Sequence, residues 1–267
     1  MQGRRNTMED VVCVAGDLTG RGDTDLVALF DGHGGADVAH QAADYVREYL
    51  AGHAPAPGAS DAEVQGLIAR AFEEANKLVP CTTLENIQGS TALVCLLTQH
   101  GEQRRLHVGN IGDSRAVLQR ADGTVVRASF DHKPLEAREH QRVRSCGGYV
   151  TPEGRVQGLL SVARALGDKA LAPFVSAEPF LASYDLEGSR FLVLACDGVW
   201  DVVTDAEACR IVGHALDTEP DAAGAAALLR DCAYLNGSGD NISVMVCDLT
   251  AQNIRAAVVA EAAAAAR

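Results

Sequence analysis

The chain has 267 residues, of which 47% are hydrophobic and only 4% aromatic, so we expect a core built mainly from Ala, Val and Leu. Its 36 acidic residues exceed its 23 Lys and Arg residues and give a net charge of −13. This balance argues against a nucleic-acid partner, because a phosphate backbone is bound by clustered Lys and Arg. No apolar stretch approaches the ~20 residues that cross a bilayer, so we expect no membrane association.

The eight cysteines contain no pair at C-x-x-C spacing, and most lie within apolar stretches. This pattern is typical of buried, reduced thiols, and a zinc site or a disulfide framework is the weaker alternative. We therefore expect a cytoplasmic protein, with the nucleus as an alternative location.

Short segments rich in Val, Leu and Ile predict a series of β-strands. In chain order they cover residues 11–15, 25–30, 91–98, 104–108, 115–120, 124–128, 190–196 and 242–249. Asp122-Gly123 lies between two of them and is typical of a hairpin turn. We therefore expect the strands at 104–108, 115–120 and 124–128 to form an antiparallel meander.

Two capping boxes, Ser60-Asp61-Ala62-Glu63 and Thr204-Asp205-Ala206-Glu207, predict the starts of two helices. Apolar residues follow the first box at helical spacing, and the second helix should end near residue 216. Further helices are expected at residues 36–50, 134–146 and 221–235. The Ala-rich residues 251–267 predict a terminal helix or a linker outside a single domain of residues 1–250.

The predicted strands form antiparallel groups, and helices stand between the groups instead of alternating strictly with single strands. This order predicts an α+β fold with layered sheets and argues against a doubly wound parallel sheet.

Acidic motifs stand at the edges of several predicted strands. They are Met8-Glu9-Asp10, Asp31-Gly32-His33-Gly34-Gly35, Gly112-Asp113-Ser114-Arg115, Asp197-Gly198-Val199-Trp200-Asp201 and Asp240-Asn241. Asp31 and Asp197 follow the ends of two strands, whereas Asp10 and Asp240 precede the starts of two others. If neighbouring strands run antiparallel, these ends share one rim.

Carboxylates that share a rim repel one another unless a cation lies between them, and all-oxygen ligation suits Mg²⁺ or Mn²⁺. The sequence therefore predicts a metal centre, with simple Asp-Gly turns as the alternative. We accept the turn for Asp122-Gly123. His33 lies inside an acidic motif, so we expect it to transfer a proton, although a lone histidine is more often structural.

The motifs closely resemble those of the metal-dependent protein phosphatase family, the type 2C serine/threonine phosphatases. The matching segments run in order from residue 2 to about residue 249. They are Gln2-Gly3-Arg4-Arg5-Asn6-Thr7-Met8-Glu9-Asp10, Phe30-Asp31-Gly32-His33-Gly34-Gly35, Gly89-Ser90-Thr91-Ala92, Asn110-Ile111-Gly112-Asp113-Ser114-Arg115, Asp131-His132-Lys133-Pro134, Arg164-Ala165-Leu166-Gly167-Asp168, Asp197-Gly198-Val199-Trp200-Asp201 and Gly239-Asp240-Asn241.

The resemblance implies a four-layer α-β-β-α sandwich, in which helices flank two central antiparallel sheets, with a two-metal centre at one end. It implies that Asp31 bridges both ions and that the Gly32 carbonyl binds one. Asp197 and Asp240 would hold the other ion. The matching positions that would support the centre, directly or through water, are Glu9 and Asp10.

Further roles follow from the same resemblance. Asp131 and Asp201 match positions linked to a weaker third metal. Arg5 would bind the substrate phosphate, with Arg4 as the weaker candidate. His33 would protonate the departing serine or threonine oxygen.

The implied activity is Mg²⁺- or Mn²⁺-dependent hydrolysis of phosphoserine and phosphothreonine in protein substrates, as in signalling. Two metal ions would lower the pKa of a bridging water, and the resulting hydroxide would attack phosphorus. Two alternatives stay open: a weak or inactive regulatory domain of this type, and a small-molecule phosphohydrolase. A cysteine phosphatase is not expected, because no arginine closely follows Cys146.

Three departures from the family pattern accompany the resemblance. Ala163 stands where a serine is usual, and residues 169–178 form a short segment beside the site. Family members also have a strand before the segment that starts at Met1. We therefore expect that this first strand is missing and that the chain is a fragment of a larger signalling protein with other domains.

Overall fold

The computed structural model describes residues 1–79 and 87–250. Cys81 and the predicted helix or linker at 251–267 lie outside the described residues. Among the residues that are described, no helix is both long and apolar enough to span a bilayer.

The described residues form two antiparallel sheets and six α-helices. The strands are β1 (Asp10–Ala15), β2 (Thr24–His33), β3 (Gly89–Ser90), β4 (Ala92–His100), β5 (Gln103–Ile111), β6 (Arg115–Arg120), β7 (Val125–Arg127), β8 (Leu166–Gly167), β9 (Phe180–Asp185), β10 (Ser189–Ala195) and β11 (Val244–Asp248). The helices are α1 (Asp37–Gly52), α2 (Asp61–Leu78), α3 (Ala137–Ser145), α4 (Asp197–Trp200), α5 (Asp205–Thr218) and α6 (Ala222–Leu235). The first sheet has the order β8-β3-β2-β4-β5-β9, with β1 also paired to β2, and the second has the order β11-β10-β6-β7.

The two sheets pack face to face, and helices cover their outer faces. In β2, Leu26, Ala28 and Phe30 face α1 and α2, whereas Val27 and Leu29 face the second sheet. This division follows from the period of two in a strand, and both faces need apolar residues because both are buried. Alternate residues of β10 likewise face α5 and α6. The predicted four-layer α-β-β-α sandwich is therefore confirmed.

Both predicted capping boxes are present. The Ser60 hydroxyl accepts a hydrogen bond from the Glu63 backbone N–H at 3.4 Å, and the Ser60 N–H donates to the Glu63 carboxylate at 2.8 Å. Thr204 and Glu207 make the same reciprocal pair at the start of α5. Helix α3 starts three residues later than predicted, because the Glu136 carboxylate caps it by accepting from the first free N–H groups.

The predicted three-stranded meander is wrong. β5 pairs with β4 and β9 in the first sheet, whereas β6 belongs to the second sheet. Only the hairpin of β6 and β7 is as predicted. The chain crosses between the sheets at Gly112, whose positive φ of 93° suits glycine at this turn. β9 was not predicted, because this edge strand is only half-buried and lacks a strong apolar pattern.

A small lobe beside the sandwich contains α3 and the chain from about residue 146 to 176. Its own core includes Val143, Val156, Leu160 and Leu171. Ala163, where the family usually has serine, is fully buried in this core. The neighbouring residues Ser161 and Val162 extend from the lobe to the pocket described next.

Candidate metal centre and active site

The acidic strand ends meet at one rim of the sandwich. Asp10 stands opposite Asp31 in the antiparallel ladder of β1 and β2. β10 and β11 are also antiparallel, and Asp197 follows β10 while Asp240 precedes β11. The predicted site residues that line the resulting pocket are Arg5, Glu9, Asp31, Gly32, His33, Asp197 and Asp240.

β2 continues beyond its predicted end at residue 30 and includes Asp31 and Gly32, because β1 and β3 pair with this extension. The Gly32 N–H donates to the Glu9 carbonyl at 3.2 Å. A Cβ at Gly32 would lie only 2.6 Å from that same carbonyl oxygen. Glycine is therefore required for the two segments that carry the acidic residues to approach so closely.

The pocket carboxylates are destabilised by burial and by one another. Burial raises the pKa of Asp31 well above its usual range, and the charges of Asp10 and Asp197 raise it further. Burial also raises the pKa of Asp197 well above its usual range, with Asp113 and Asp240 adding to the effect. A divalent cation among these groups would remove the repulsion that shifts them.

Asp10 gives a second test of whether a cation fits. Its carboxylate is buried, and neither oxygen has a partner in hydrogen-bond geometry within the described part of the chain. Burial raises the pKa of Asp10, and the polar neighbours that partly offset this rise are Ser243, Cys196 and Asp31. Ligand atoms of Asp10, Asp31 and Cys196 lie within 4.8 Å of one another. The residues present therefore fit a metal ion.

The two candidate phosphate-binding arginines are placed differently. Arg5 lines the pocket, and its Nη2 lies 2.6 Å from Asp240 Oδ2. Arg4 points away to α6, where its guanidinium lies 4.3 Å from the centre of the Tyr234 ring and donates to backbone carbonyls. Arg5 is thus the arginine that a phosphate in the pocket can reach.

The match to known proteins decides the family. The model of the family described as Protein phosphatase 2C matches residues 1–242. The chain belongs to this family. It is 36% identical over 262 residues to Protein phosphatase 2C homolog 1 of Saccharomyces cerevisiae, a match that covers 91% of the chain and 88% of the yeast protein.

Other similarities agree with this assignment. The chain is 33% identical to Protein phosphatase 1L of Bos taurus, over 92% of the chain and 70% of the bovine protein. The crystal structure of a phosphatase from Toxoplasma gondii has a TM-score of 0.76 and 26% identity, over 92% of this chain and 89% of that one. The protein is therefore a serine/threonine phosphatase of the metal-dependent protein phosphatase 2C family.

Asp131, a candidate third-metal residue, does not line the phosphatase pocket. Arg115 Nε donates to both of its carboxylate oxygens at 3.1 Å, and the Arg115 side chain is itself only 9% exposed. Asp201 also lies outside the pocket lining, and its carboxylate accepts from Lys133 Nζ at 2.7 Å. The position of Asp131 therefore argues against the metal role that the resemblance suggested for it.

Asp113 lines the pocket instead, and the sequence analysis gave it no role. Burial raises the pKa of Asp113 to about 6, although Lys133 opposes this rise. Lys133 Nζ lies 3.7 Å from Asp113 and 2.7 Å from Asp201, so the two carboxylates flank one ammonium group. The sequence contains a signal for a role of Asp113 in the pocket, because this residue belongs to the acidic motif Gly112-Asp113-Ser114-Arg115.

Two further residues near the phosphatase pocket, Asn241 and Asp168, were not predicted to have a role there. Asn241 accepts from the Glu9 N–H and donates to the Gln2 and Thr7 carbonyls, each at 2.8 Å. It therefore fastens the segment that carries Arg5 to the start of β11. His33 Nε2 lies 2.7 Å from a carboxylate oxygen of the buried Asp168.

Proposed function

We propose that this phosphatase removes phosphate from phosphoserine and phosphothreonine in protein substrates by using two divalent metal ions. The observation that carries the proposal is the group of pocket carboxylates, whose pKa values are raised by burial and by their mutual repulsion. Such a group has little structural value without a cation, whereas it can bind metal ions strongly.

The proposed ligands are those at the rim. Asp31 belongs to β2 and is close enough to Asp10 and Asp197 for the charges of both to act on it, so it would contact both ions, with the Gly32 carbonyl binding one of them. Asp197 and Asp240, from the β10 and β11 side, would hold the other. The residues that would support the ions directly or through water are Glu9 and Asp10.

Oxygen donors dominate this set, which favours Mg²⁺ or Mn²⁺ over softer metals. The nearby Cys196 thiol is fully buried, and it lies 3.4 Å from the Asn241 carbonyl, to which it can donate. A third ion, if bound, would use Asp113 and Asp201 and displace the Lys133 ammonium between them. Asp131 is the weaker candidate because Arg115 already holds its carboxylate.

The ions, when bound, supply a nucleophile from water near neutral pH and neutralise charge on the phosphoryl group. Arg5 would donate hydrogen bonds to phosphoryl oxygens, which requires its guanidinium to leave Asp240. His33 lines the same pocket and would protonate the departing oxygen of the substrate. These side chains together bind the phosphate, orient it and complete the proton transfer.

The partners in this proposal are phosphorylated proteins, as expected for a protein phosphatase, and the chain would act in the cytoplasm or nucleus. Free cysteines, such as the buried Cys95 and Cys247, support a reducing location. The residues proposed for the two ions line the pocket, except Asp10, which stands opposite Asp31; this supports an active enzyme over the inactive alternative.

The test is hydrolysis of a phosphothreonine peptide by the purified chain. We expect Mn²⁺ to stimulate hydrolysis, and we expect EDTA or Asp197→Asn to abolish it. The matched control is Asp122→Asn in the exposed hairpin turn, which should keep wild-type activity. Hydrolysis that survives both EDTA and Asp197→Asn would overturn the two-metal proposal.

A further inference from the structure

We propose that Asp168 is the positioning residue of His33 and holds the imidazole so that its Nδ1 atom faces the departing oxygen of the substrate. The inference rests on the proposed function, because it assigns a partner to the proton donor of that reaction. The evidence for this inference is the burial, backbone conformation and contacts of Asp168, a residue to which the sequence motifs assign no role.

The contact itself fixes one ring nitrogen. His33 Nε2 lies 2.7 Å from Asp168 Oδ2, and because a carboxylate oxygen accepts, we assign the donated proton to Nε2. The Asp168 side chain is fully buried, whereas that of His33 is 26% exposed and lines the pocket. Since Nε2 is engaged by the buried carboxylate, Nδ1 is the ring nitrogen left to serve the substrate. The pair therefore has one buried end and one end open to the pocket.

Asp168 is held in an unfavourable state. Its φ of 46° and ψ of 30° lie in the left-handed region, which is uncommon for residues other than glycine, although Asp adopts it more readily than most. Its second carboxylate oxygen, Oδ1, is buried and has no hydrogen-bond partner among residues 1–79 and 87–250. Strain of this kind persists where the surrounding structure enforces it, and it is concentrated at functional sites. A residue that served packing alone would need neither the strained backbone nor the buried carboxyl group.

The space for the pair is provided by a glycine. β3 lies between β2 and β8, so that Gly89 stands opposite His33 on one side and Gly167 on the other. A Cβ at Gly89 would overlap Asp168 Oδ2 and lie 2.6 Å from His33 Nε2. The three paired strands thus bring the two side chains together over a glycine that leaves room for them.

The segment that carries Asp168 is anchored on both sides. The Gly167 N–H donates to Asn76 Oδ1 of α2 at 2.9 Å, and the Asp168 N–H donates to the Gln88 carbonyl at 3.0 Å. Lys169 Nζ donates to the Val79 carbonyl at 2.6 Å. These bonds fix the carboxylate, so it can fix the imidazole in turn.

The proton transfer balances as follows. Water supplies the oxygen that bonds to phosphorus, while the bond between phosphorus and the serine or threonine oxygen breaks. That departing oxygen keeps the electron pair and takes the proton from His33 Nδ1. The imidazole keeps its Nε2–H directed at Asp168, and its Nδ1 regains a proton derived from the attacking water.

The test uses substrates with different leaving groups on the full chain with Mn²⁺. Asp168→Asn should lower kcat about 100-fold on a phosphothreonine peptide, because an alkoxide is a poor leaving group that needs a proton. On p-nitrophenyl phosphate, whose phenolate leaves readily, the loss should stay below about 5-fold. KM should change little for either substrate. His33→Gln should show the same split, and the double variant should be no worse than His33→Gln alone.

Two further measurements separate positioning from folding. Gly89→Ala should drive the pair apart without changing either group and should reproduce the same split between substrates. In the metal-free protein, the low-field NMR signal of the His33 Nε2–H proton should be present in the wild type and absent in Asp168→Ala. Persistence of that signal in Asp168→Ala would overturn the inference.

The activity outcomes also separate the two proposals. Equal losses on both substrates, or additive losses in the double variant, would overturn the positioning role while leaving the phosphatase proposal intact. A wild-type protein that hydrolyses neither substrate with Mn²⁺ would overturn the proposed function and this inference with it.

Discussion

Two groups of partly buried carboxylates lie close together in this phosphatase, and they differ in what neutralises them. In the arginine-clamped pair, Asp131 and Asp205 both accept hydrogen bonds from Arg115. Burial would raise the pKa of Asp205, but Arg127 and Arg115 overcome this effect and lower it. In the pocket, burial raises the pKa of Asp31 and no such clamp lowers it. Carboxylates that are clamped by the buried Arg115 support the fold, whereas the pocket carboxylates, which no buried arginine among the described residues clamps, can bind a metal.

The largest expected effect is the difference in activity between two variants, each with one carboxylate changed, one in the pocket and one in the arginine-clamped pair. Asp31→Asn should lower metal-dependent activity at least ~10³-fold, because several kcal/mol of charge stabilisation depends on the ions. Asp131→Asn should keep activity within a few-fold of the wild type. Steady-state kinetics at saturating Mn²⁺ would check both. Equal losses would show that the difference between the two groups has no functional meaning.

Stability should change in the opposite sense. Asp131→Asn leaves the buried Arg115 with a weaker partner and should lower the free energy of unfolding by about 3 kcal/mol. Asp31→Asn removes repulsion and should not destabilise the metal-free protein. Urea unfolding in EDTA measures both values. A metal-free protein that is destabilised more by Asp31→Asn than by Asp131→Asn would contradict this account.

The pH dependence of the metal-free protein isolates the pocket. Because burial raises the pKa of Asp113 from 3.8 to about 6, its stabilising contribution is complete below pH 3.8 and is lost as the pH rises through about 6. Burial lowers the pKa values of His107 and His132 to about 4, so these groups act in the opposite direction. The informative quantity is therefore the difference between the wild type and Asp113→Asn.

Between pH 4 and 7, Asp113→Asn should gain stability relative to the wild type, on the order of 1–3 kcal/mol. Thermal unfolding in EDTA at several pH values gives this difference. Saturating Mn²⁺ should reduce it, since a cation favours the ionised carboxylates. If the stability difference between the wild type and Asp113→Asn is constant over this pH range, the pKa of Asp113 is not raised by its surroundings.

The smallest effect concerns the two kinds of arginine. The Arg5 side chain is 60% exposed beside Asp240, whereas that of Arg115 is 9% exposed. Arg5→Gln should raise KM for a phosphopeptide about 10-fold through loss of a charged hydrogen bond. It should change stability by less than about 0.5 kcal/mol, because an exposed ion pair contributes little. The control is Arg4→Gln, which should leave KM unchanged.

Local signals in the sequence predicted much of the fold. The capping boxes at Ser60 and Thr204 depend on residues three positions apart, so they could be read directly. The shared rim followed from acidic residues at strand ends, once antiparallel pairing was assumed. The assignment of β6 to a second sheet could not be predicted, because the turn at Gly112 gives no sign of which sheet follows.

Roles that depend on distant contacts were harder to predict. Asp131 and Asp113 both belong to segments that match the family. Only the position of the Arg115 side chain shows that Asp131 is clamped by an arginine, whereas Asp113 lines the pocket. The pairing of His33 with Asp168 joins residues 135 positions apart. No spacing in the sequence indicates this contact, which depends on the packing of β3 between two other strands.

The most direct test of the account is a calorimetric titration of Mn²⁺ into the metal-free wild type and three variants. We predict two binding events in the wild type, none of comparable affinity in Asp31→Asn, and one largely retained event in Asp240→Asn. Asp131→Asn should bind as the wild type does. Binding that is unchanged in Asp31→Asn, or lost equally in Asp131→Asn, would contradict the claim that the pocket carboxylates form the metal centre.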